Sequence, residues 1–352
     1  GGALMVEDKV RVAVIGLNVG LYHLREYLKI PDVEVVALCD VDAQKLKDVS
    51  SKYGVARTYT DYKALLDDPS VDAVSVVLPN YLHGPVSTSA LESGKHVLCE
   101  KPLASSLPDG ESIVKAAEKS GKVAMVPTNF VWMKEAAYTR KLLEDGFFGE
   151  VYYGYNCYMR QVGSGIPVRS TYFRKQLSGG GALIDNGFHF VDLNWYLMGC
   201  PRPVSAFGAT YAEFGPRGKG FTAGETWGDL ASNFDTEDFA VGVIRFKNGA
   251  SMVVENAWAA YVEKELMATR VCGTEGGASI WPFYVTKEEE GKTLAETPDL
   301  KDLHAETKFE HFINCIRGGK KPTCSVQQGF MVLKMLFALY ESAETGNVVK
   351  VT

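Results

Sequence analysis

No stretch of this 352-residue chain is apolar for long enough to cross a bilayer; no run approaches the roughly 18 residues that a spanning helix needs. Basic charge is also short. Lys and Arg number 37 against 43 Asp and Glu, a net charge of −6. That balance argues against a general nucleic-acid binder, because phosphate backbones are held by basic faces. The seven cysteines are scattered singly at 39, 99, 157, 200, 272, 315 and 324. They form no CxxC pair and no His/Cys cluster, so no metal site is expected. Several sit in strand-like runs, where a thiol acts as a small hydrophobe. This usage points to a reducing compartment, the cytoplasm. The opening GGALMVEDKV lacks the basic, apolar and small-residue pattern of a secretory leader. Internal repeats and low-complexity linkers are missing too.

Apolar material is plentiful. Hydrophobic residues make up 46% and charged residues 23%, enough to fill two globular cores, and the length favours two domains. Up to residue 127, strand and helix signals alternate. Strand-like runs lie at 11–16, 33–40, 71–79, 95–100 and 122–127, short and rich in Val, as in parallel strands covered on both faces. Helical stretches are expected at 43–52, 61–67, 85–93 and 109–119. The rhythm predicts an α/β domain over 1–127, an open parallel sheet with right-handed crossovers.

The rhythm then changes. A long strand is expected at 150–161 and a hairpin at 239–259, with Asn248-Gly249 as its turn. Further strands are expected near 267–272 and 277–285. Ser325 and Gln328 form a capping box that opens a helix running to about 345. Residues 128–352 therefore read as an α+β domain with a mostly antiparallel open sheet, for substrate binding and oligomerisation. Its last helices are expected to pack back on the first domain. The glycine-rich stretch 215–229 reads as a long loop.

The first strand ends in Gly16-Leu-Asn18-Val19-Gly20 and is followed by a helix-like segment. Such a turn lets a pyrophosphate approach the backbone and the helix N-terminus. Asn18 stands where the second glycine of GxGxxG belongs, so an ordinary tight turn is an equal reading of the loop alone. Asp40 ends the second strand, where an acid bonds ribose hydroxyls; a helix N-cap is the alternative for it, as for Asp42. No basic residue follows Asp40 directly, which favours NAD over NADP. The third strand exits into Pro79-Asn80-Tyr-Leu-His83, at the sheet edge where ligands of such folds bind. His83 either faces the cofactor or is a surface loop histidine.

Two motifs carry the chemistry. In Cys99-Glu100-Lys101-Pro102, a lysine follows a buried strand. Its ammonium either points into the cofactor crevice or snorkels to pair with Glu100. Proline forces a turn there and is a candidate for a cis bond. In GGGALIDNGFHF (179–190), Asp185 and His189 share one face if 182–196 is helical, with Asp192 and Trp195 on helical spacing. The glycines at 179–181 are expected to let the backbone pass close to substrate and cofactor. A plain structural hydrogen bond is the alternative for the Asp/His pair.

These motifs, with PNYLH and the terminal IRGGKKPTCSVQQG, resemble the Gfo/Idh/MocA family along essentially the whole chain. EKP together with GGGxLxDxGxHxxD is the specific part; the glycine loop is not. The resemblance implies a Rossmann domain followed by an α+β domain, and NAD-dependent oxidation of a secondary hydroxyl of a sugar, inositol or related polyol. It also implies that Lys101, Asp185 and His189 meet at the nicotinamide. His189 would then act as general base, Lys101 would stabilise alkoxide charge, and Asp185 would orient the other two. Cofactor contacts are expected from Gly16, Asn18, Val19, Gly20, Asp40, Pro79, Asn80, His83, Glu100 and Lys101.

Substrate contacts are expected from Lys101, Tyr158, Arg160, Tyr172, Asp185 and His189, among a wider set that includes Tyr155, Gln161, Arg169 and Arg174. The strand exit 126–133 departs from relatives that carry an arginine there. Phe130 and Val131 suggest a less polar substrate edge, with Trp132 beside them. Two other readings stand: a redox-neutral NAD-dependent glycosidase of the same fold, and a non-catalytic dinucleotide-binding sensor. The open sheet implies a homodimer or homotetramer.

Overall fold

The computed structural model describes residues 9–166, 171–220, 233–318 and 320–352. It divides into two compact units, one of Gly1–Pro127 with Glu306–Phe330 and one of Thr128–Ala305 with Met331–Thr352. The segment 306–330 thus groups with the first unit, while the helical residues after it group with the second. No helix among the described residues is long and apolar enough to cross a membrane.

The first unit alternates β1 (Val10–Ile15), α1 (Gly20–Tyr27), β2 (Val33–Cys39), α2 (Ala43–Tyr53), β3 (Arg57–Tyr59), α3 (Tyr62–Leu66), β4 (Ala73–Val76), α4 (Asn80–Glu92), β5 (His96–Cys99), α5 (Leu107–Ser120) and β6 (Ala124–Met125). The six strands are parallel and ordered β3-β2-β1-β4-β5-β6. The order reverses between β1 and β4, the point where ligands of open α/β sheets bind. Helix ends follow sequence chemistry. Asp42 caps α2 by accepting from Lys45 N at 3.0 Å, and Gly54 ends it at φ +72°. Ser106 opens α5 and Gly121 closes it at φ +65°.

Two details differ from the sequence reading. β3 has only three residues, too few to show a period. Helix α4 begins at Asn80 rather than at 85, with Pro79 at its N-cap and Pro85 inside it. Proline fixes φ and lacks an N–H, so Pro85 read as a boundary. Pro79-Asn80-Tyr81-Leu82-His83 is therefore a helix start, not a free loop.

The second unit contains α6 (Lys134–Glu144), β7 (Val151–Gln161), α7 (Lys175–Ser178), a wide π-helical turn at Leu183–Gly187, α8 (Phe188–Leu197), β8 (Pro203–Tyr211), β9 (Phe239–Phe246), β10 (Ser251–Ala260), β11 (Leu266–Gly273), β12 (Gly276–Ile280), β13 (Tyr284–Glu289) and β14 (Lys292–Glu296). After α9 (Lys308–Ile316), which lies in the segment of the first unit, come α10 (Val326–Thr345) and β15 (Val349–Lys350). Nine strands run β14-β13-β12-β11-β7-β10-β9-β8-β15, antiparallel except for the β7–β10 pair.

The 277–285 run is two strands, because Trp281 adopts φ +60° and Pro282 offers no N–H to a ladder. Ser325 and Gln328 do form a capping box, Ser325 N to Gln328 Oε1 at 2.9 Å and Gln328 N to Ser325 Oγ at 3.3 Å. Helix α9 opens on a second one, Thr307 with Glu310.

Missing side chains let helices sit close on the large sheet. Gly208 and Gly242 are cross-strand partners, and a Cβ on either would press on Leu339 of α10. A Cβ on Gly154 of β7 would overlap Asn194 Oδ1 and Met198 Sδ, at the end of α8. Asn194 Nδ2 then donates to the carbonyls of Tyr155 (2.7 Å) and Arg270 (3.0 Å), tying α8 to two strands. Gly154→Ala should therefore destabilise the protein by about 1–3 kcal/mol, the usual cost of overpacking. Urea unfolding followed by circular dichroism checks this; an unchanged midpoint would mean that α8 can lift without cost.

Candidate active site

In the first unit, the loop after β1 is tied down by the tip of β2. Gly16 sits at φ +91°, and a Cβ there would overlap the Val77 carbonyl. Its constraint is the close approach of β1 to the strand across the switch point. Asp40 is 9% exposed; it accepts from Leu17 N at 2.8 Å and from Asp42 N at 3.0 Å. Asp42 is the α2 cap, so Asp40 is not. Helix α1 has no side-chain cap at Val19 and no acid in its first turn, leaving the positive end of its dipole for an anion.

These residues fit a dinucleotide. An α1 N-terminus without a capping side chain suits a pyrophosphate, and a carboxylate has about four acceptor sites, so Asp40 retains capacity for ribose hydroxyls. Sequence adjacency missed one group. Lys45, from the first turn of α2, places its ammonium 3.4 Å from Asp40 Oδ2 and 3.0 Å from Asn18 Oδ1.

His83 is 1% exposed. Its ring nitrogens each lie 2.7 Å from a carbonyl oxygen, Pro102 O at Nδ1 and Leu78 O at Nε2. Only a doubly protonated ring donates to both, while burial opposes that charge and lowers the pKa. A neutral ring donates to one of the two carbonyls; buried between the β4 and β5 exits, it is not a surface histidine. Asn80, also 9% exposed, lies in the first turn of α4. Lys101 is half-buried; its backbone N–H donates to Glu100 Oε2 at 3.1 Å, and the Lys101–Pro102 bond is cis.

A separate cavity of about 920 Å³ opens at the amino ends of the parallel strands, lined by Lys9, Arg11, Lys95 and His96 among others. Ligands of this fold class bind at the carboxyl ends, so that cavity is not the cofactor crevice.

In the second unit, Asp185 and His189 straddle a change of helix type. Asp185 lies in the wide turn Leu183–Gly187 and His189 in the first turn of α8. The expectation of one regular helix over 182–196 is corrected to this π-turn followed by an α-helix. Single π-turns recur at functional sites. Trp258 of β10, fully buried, donates its indole N–H to Asp185 Oδ2 at 3.0 Å. His189 is 9% exposed; the Asn129 N–H points at its Nδ1 from 3.5 Å, a weak contact. Asp192 accepts from Thr128 Oγ1 at 2.5 Å, and Trp195 Nε1 donates to Pro201 O at 2.8 Å. Both are packing and capping groups.

The start of this segment hangs on a residue that the sequence reading missed. Glu237 accepts from Gly181 N and Leu183 N, both at 2.8 Å, and from the Tyr340 hydroxyl at 2.7 Å. Tyr340 in turn accepts from Ile184 N at 3.2 Å. Burial raises the Glu237 pKa, against these donors. A Cβ on Gly180 would overlap Tyr340, and one on Gly181 would overlap the Glu237 carbonyl. These two glycines thus meet their own protein closely, a physical reason different from the approach to substrate expected for them. The available signal was Asp235-Thr-Glu-Asp238, an acidic start to an apolar strand.

An aromatic group stands beside His189. The Phe130 ring is 5.4 Å from the imidazole and 4.9 Å from Trp281, and Phe190 is 5.5 Å from Trp281 and stacks on Tyr158 at 5.0 Å. Val131 is buried. The Arg160 guanidinium donates to the carbonyls of Gly165 (3.0 Å) and Ser164 (2.6 Å), so it shapes its own loop. Tyr172 packs on a core of Ile166, Phe173, Phe234 and Trp258. Arg169 and residues 221–229 of the glycine-rich stretch lie outside the described residues.

Two family models match the chain: the NAD-binding Rossmann fold of an oxidoreductase family at residues 10–128, and its C-terminal alpha/beta domain at 140–351. The chain is 31% identical over 351 residues, 98% of this chain and 99% of the other, to D-glucoside 3-dehydrogenase of Escherichia coli (strain K12). It is 28% identical to scyllo-inositol 2-dehydrogenase (NAD(+)) of Bacillus subtilis (strain 168), covering 98% of this chain and 97% of that one. A levoglucosan dehydrogenase solved with NADH and levoglucosan shares the fold, with a TM-score of 0.84 at 21% identity over 98% of this chain and 100% of the other.

Two outcomes are expected from the first unit. Asp40→Asn should lower kcat/KM for NAD⁺ by about 10- to 10²-fold, the worth of a charge-assisted hydrogen bond. NADP⁺ should lose less, because the Lys45 ammonium remains; kinetics with both cofactors decide it. The second concerns acid. Burial lowers the pKa of His23, and burial with the Lys122 ammonium lowers that of His96 to about 4. Folded values below unfolded ones give stability that is full above about pH 6.5 and is lost as pH falls toward 4. The protection of first-unit amides, taken relative to their intrinsic exchange rate at each pH, should therefore fall across that window, and less so in His96→Gln. A flat profile would contradict the burial argument.

Proposed function

The chain belongs to the Gfo/Idh/MocA oxidoreductase family and is an NAD-binding dehydrogenase acting on CH–OH groups; from that premise we propose that it oxidises a secondary hydroxyl of a sugar, inositol or related cyclic polyol. Bound NAD⁺ supplies the hydride acceptor. His189 takes the hydroxyl proton through Nε2, which requires the tautomer with its proton on Nδ1. In that tautomer Nδ1 does not accept from the Asn129 N–H, whose 3.5 Å approach is weak. Lys101 donates a hydrogen bond to the same oxygen and stabilises its developing charge. Asp185, steadied by the Trp258 indole, stabilises the cationic side chain nearest it.

The observation that carries this reading is the π-turn. It places a half-exposed carboxylate and an imidazole at the start of a largely apolar helix. The named activities of the D-glucoside and scyllo-inositol relatives support a ring-borne hydroxyl. The aromatic group of Phe130, Phe190, Trp281 and Tyr158 supports a substrate with an apolar C–H face. Tyr158 is the member of the expected substrate set best placed to stack. Phe207, Tyr211 and Val243 are all more than one-third exposed, on strands β8 and β9. They support self-association of the open sheet face into a dimer or tetramer.

The test is a panel of inositols, hexoses and glycosides with NAD⁺, followed by NADH absorbance. Release of a phenol from an aryl glycoside without net NADH would replace this reading with the redox-neutral glycosidase. On the best substrate, His189→Ala should lower kcat by about 10² to 10⁴-fold, the usual contribution of a general base. Near-normal turnover by that variant would remove His189 from the mechanism.

A further inference from the structure

Behind the Glu100-Lys101-Pro102 turn lies a buried ionic cluster that the proposed chemistry does not use. The Glu100 side chain is 15% exposed and the Lys308 side chain 6%, with Lys308 Nζ 3.7 Å from Glu100 Oε1. Lys308 also donates to the Pro127 carbonyl at 3.3 Å and lies over the rings of Tyr22 (5.4 Å) and Phe309 (5.2 Å). His23 is fully buried, with Nε2 3.0 Å from Glu100 Oε1 and Nδ1 3.1 Å from Ser75 Oγ. Ser75 Oγ is in turn 2.9 Å from the Tyr27 hydroxyl. All belong to the first unit.

The proton positions follow from donor and acceptor counting. Burial lowers the His23 pKa, so the ring is neutral and has one N–H. A carboxylate only accepts, so that N–H is on Nε2 and donates to Glu100. Nδ1 then accepts from the Ser75 hydroxyl, and Ser75 Oγ accepts from Tyr27. Burial alone would raise the Glu100 pKa; the His23 hydrogen bond and the Lys308 ammonium hold it well below the usual carboxylate range. Glu100 is thus an anion with Oε1 fixed by His23 and Lys308. Its Oε2 accepts the Lys101 N–H at 3.1 Å.

A buried ion pair is a weak source of stability, since desolvation offsets the attraction. What this one does supply is a fixed carboxylate immediately beside Lys101. We propose that Lys308 and His23 are positioning residues for Lys101: they lock the Glu100 carboxylate, and Glu100 locks the Lys101 backbone. The first residue of α9, far along the chain, is thereby part of the active-site turn. The kinetic half of this inference rests on the proposed dehydrogenase reading; the structural half does not.

The experiment uses the full-length protein with Lys308→Met, which keeps the stem over Tyr22 and Phe309 and removes the charge, and Lys308→Arg, which restores it. Amide exchange of the peptide containing Lys101 should quicken about tenfold in Lys308→Met, as expected for a local opening. Exchange of the β1–β4 peptides should stay as in wild type. On the best polyol, kcat should fall by about 10²-fold, the effect of a small misplacement of a catalytic group, with KM for NAD⁺ nearly unchanged. Lys308→Arg should recover most of both. If Lys308→Met does not fold, His23→Gln replaces it, with a smaller change of the same sign in the Lys101 peptide. Unchanged exchange at Lys101 in the folded variant, or no recovery with arginine, overturns the proposal. A wild-type protein that oxidises no polyol, with exchange behaving as expected, sinks the dehydrogenase reading and leaves the positioning role standing.

Discussion

Carboxylates turned inward onto backbone N–H groups hold the candidate site residues within each unit. Asp40 takes the Leu17 amide, Glu100 the Lys101 amide, and Glu237 the amides of Gly181 and Leu183. Asp238 adds those of Glu213, Phe214 and Gly215. Each group occurs where a strand end or helix start leaves donors without a ladder partner. A buried amide without an acceptor costs about 1–3 kcal/mol, so these acids decide which loop conformations survive. For Asp40, Glu100 and Glu237 the held segment carries or adjoins a candidate cofactor-binding or catalytic residue. The protein rigidifies the backbone next to its candidate reacting groups.

The parallel sheet was the most legible part of the sequence. Its Val-rich runs are buried on both faces and leave little else to be, and β1, β2 and β5 fall within a residue or two of their expected limits. The antiparallel hairpin of β9 and β10 was equally clear, since Asn248-Gly249 marks its turn and Gly249 does take φ +90°. Failures have local causes. β3 is too short to have a period, Pro85 imitates a boundary, and Trp281-Pro282 interrupts a run that reads as one strand. The π-turn at Leu183–Gly187 is invisible to periodicity, because a single wide turn does not shift the apolar pattern enough to register.

Candidate site residues stood out where an unusual residue falls in an apolar context: Lys101 after a buried strand, Asp185 and His189 in a largely apolar segment. Supporting residues were not. Glu237 and Tyr340 meet Gly181 and Ile184 across 56 and 156 residues, and Lys308 reaches Glu100 from the far end of the chain. A charged residue opening a helix reads as solvated until the fold buries it. His83 shows the converse. Its position in PNYLH suggested either a ligand-facing group or a surface loop histidine, yet the ring is buried with a backbone carbonyl beside each nitrogen.

Lys45 shows why cofactor preference is a spatial property. An acid without a neighbouring arginine repels a 2′-phosphate only if no cation stands close by, and here one does, from the next helix. Its ammonium is held by both Asp40 and Asn18, so it partly neutralises the acid that would otherwise exclude the phosphate. A preference for NAD would then rest on geometry. Asp40 is pinned by two backbone amides and cannot swing aside, whereas Lys45 is at the end of a flexible stem. A fixed acceptor paired with a mobile cation favours the ribose hydroxyls while leaving discrimination modest.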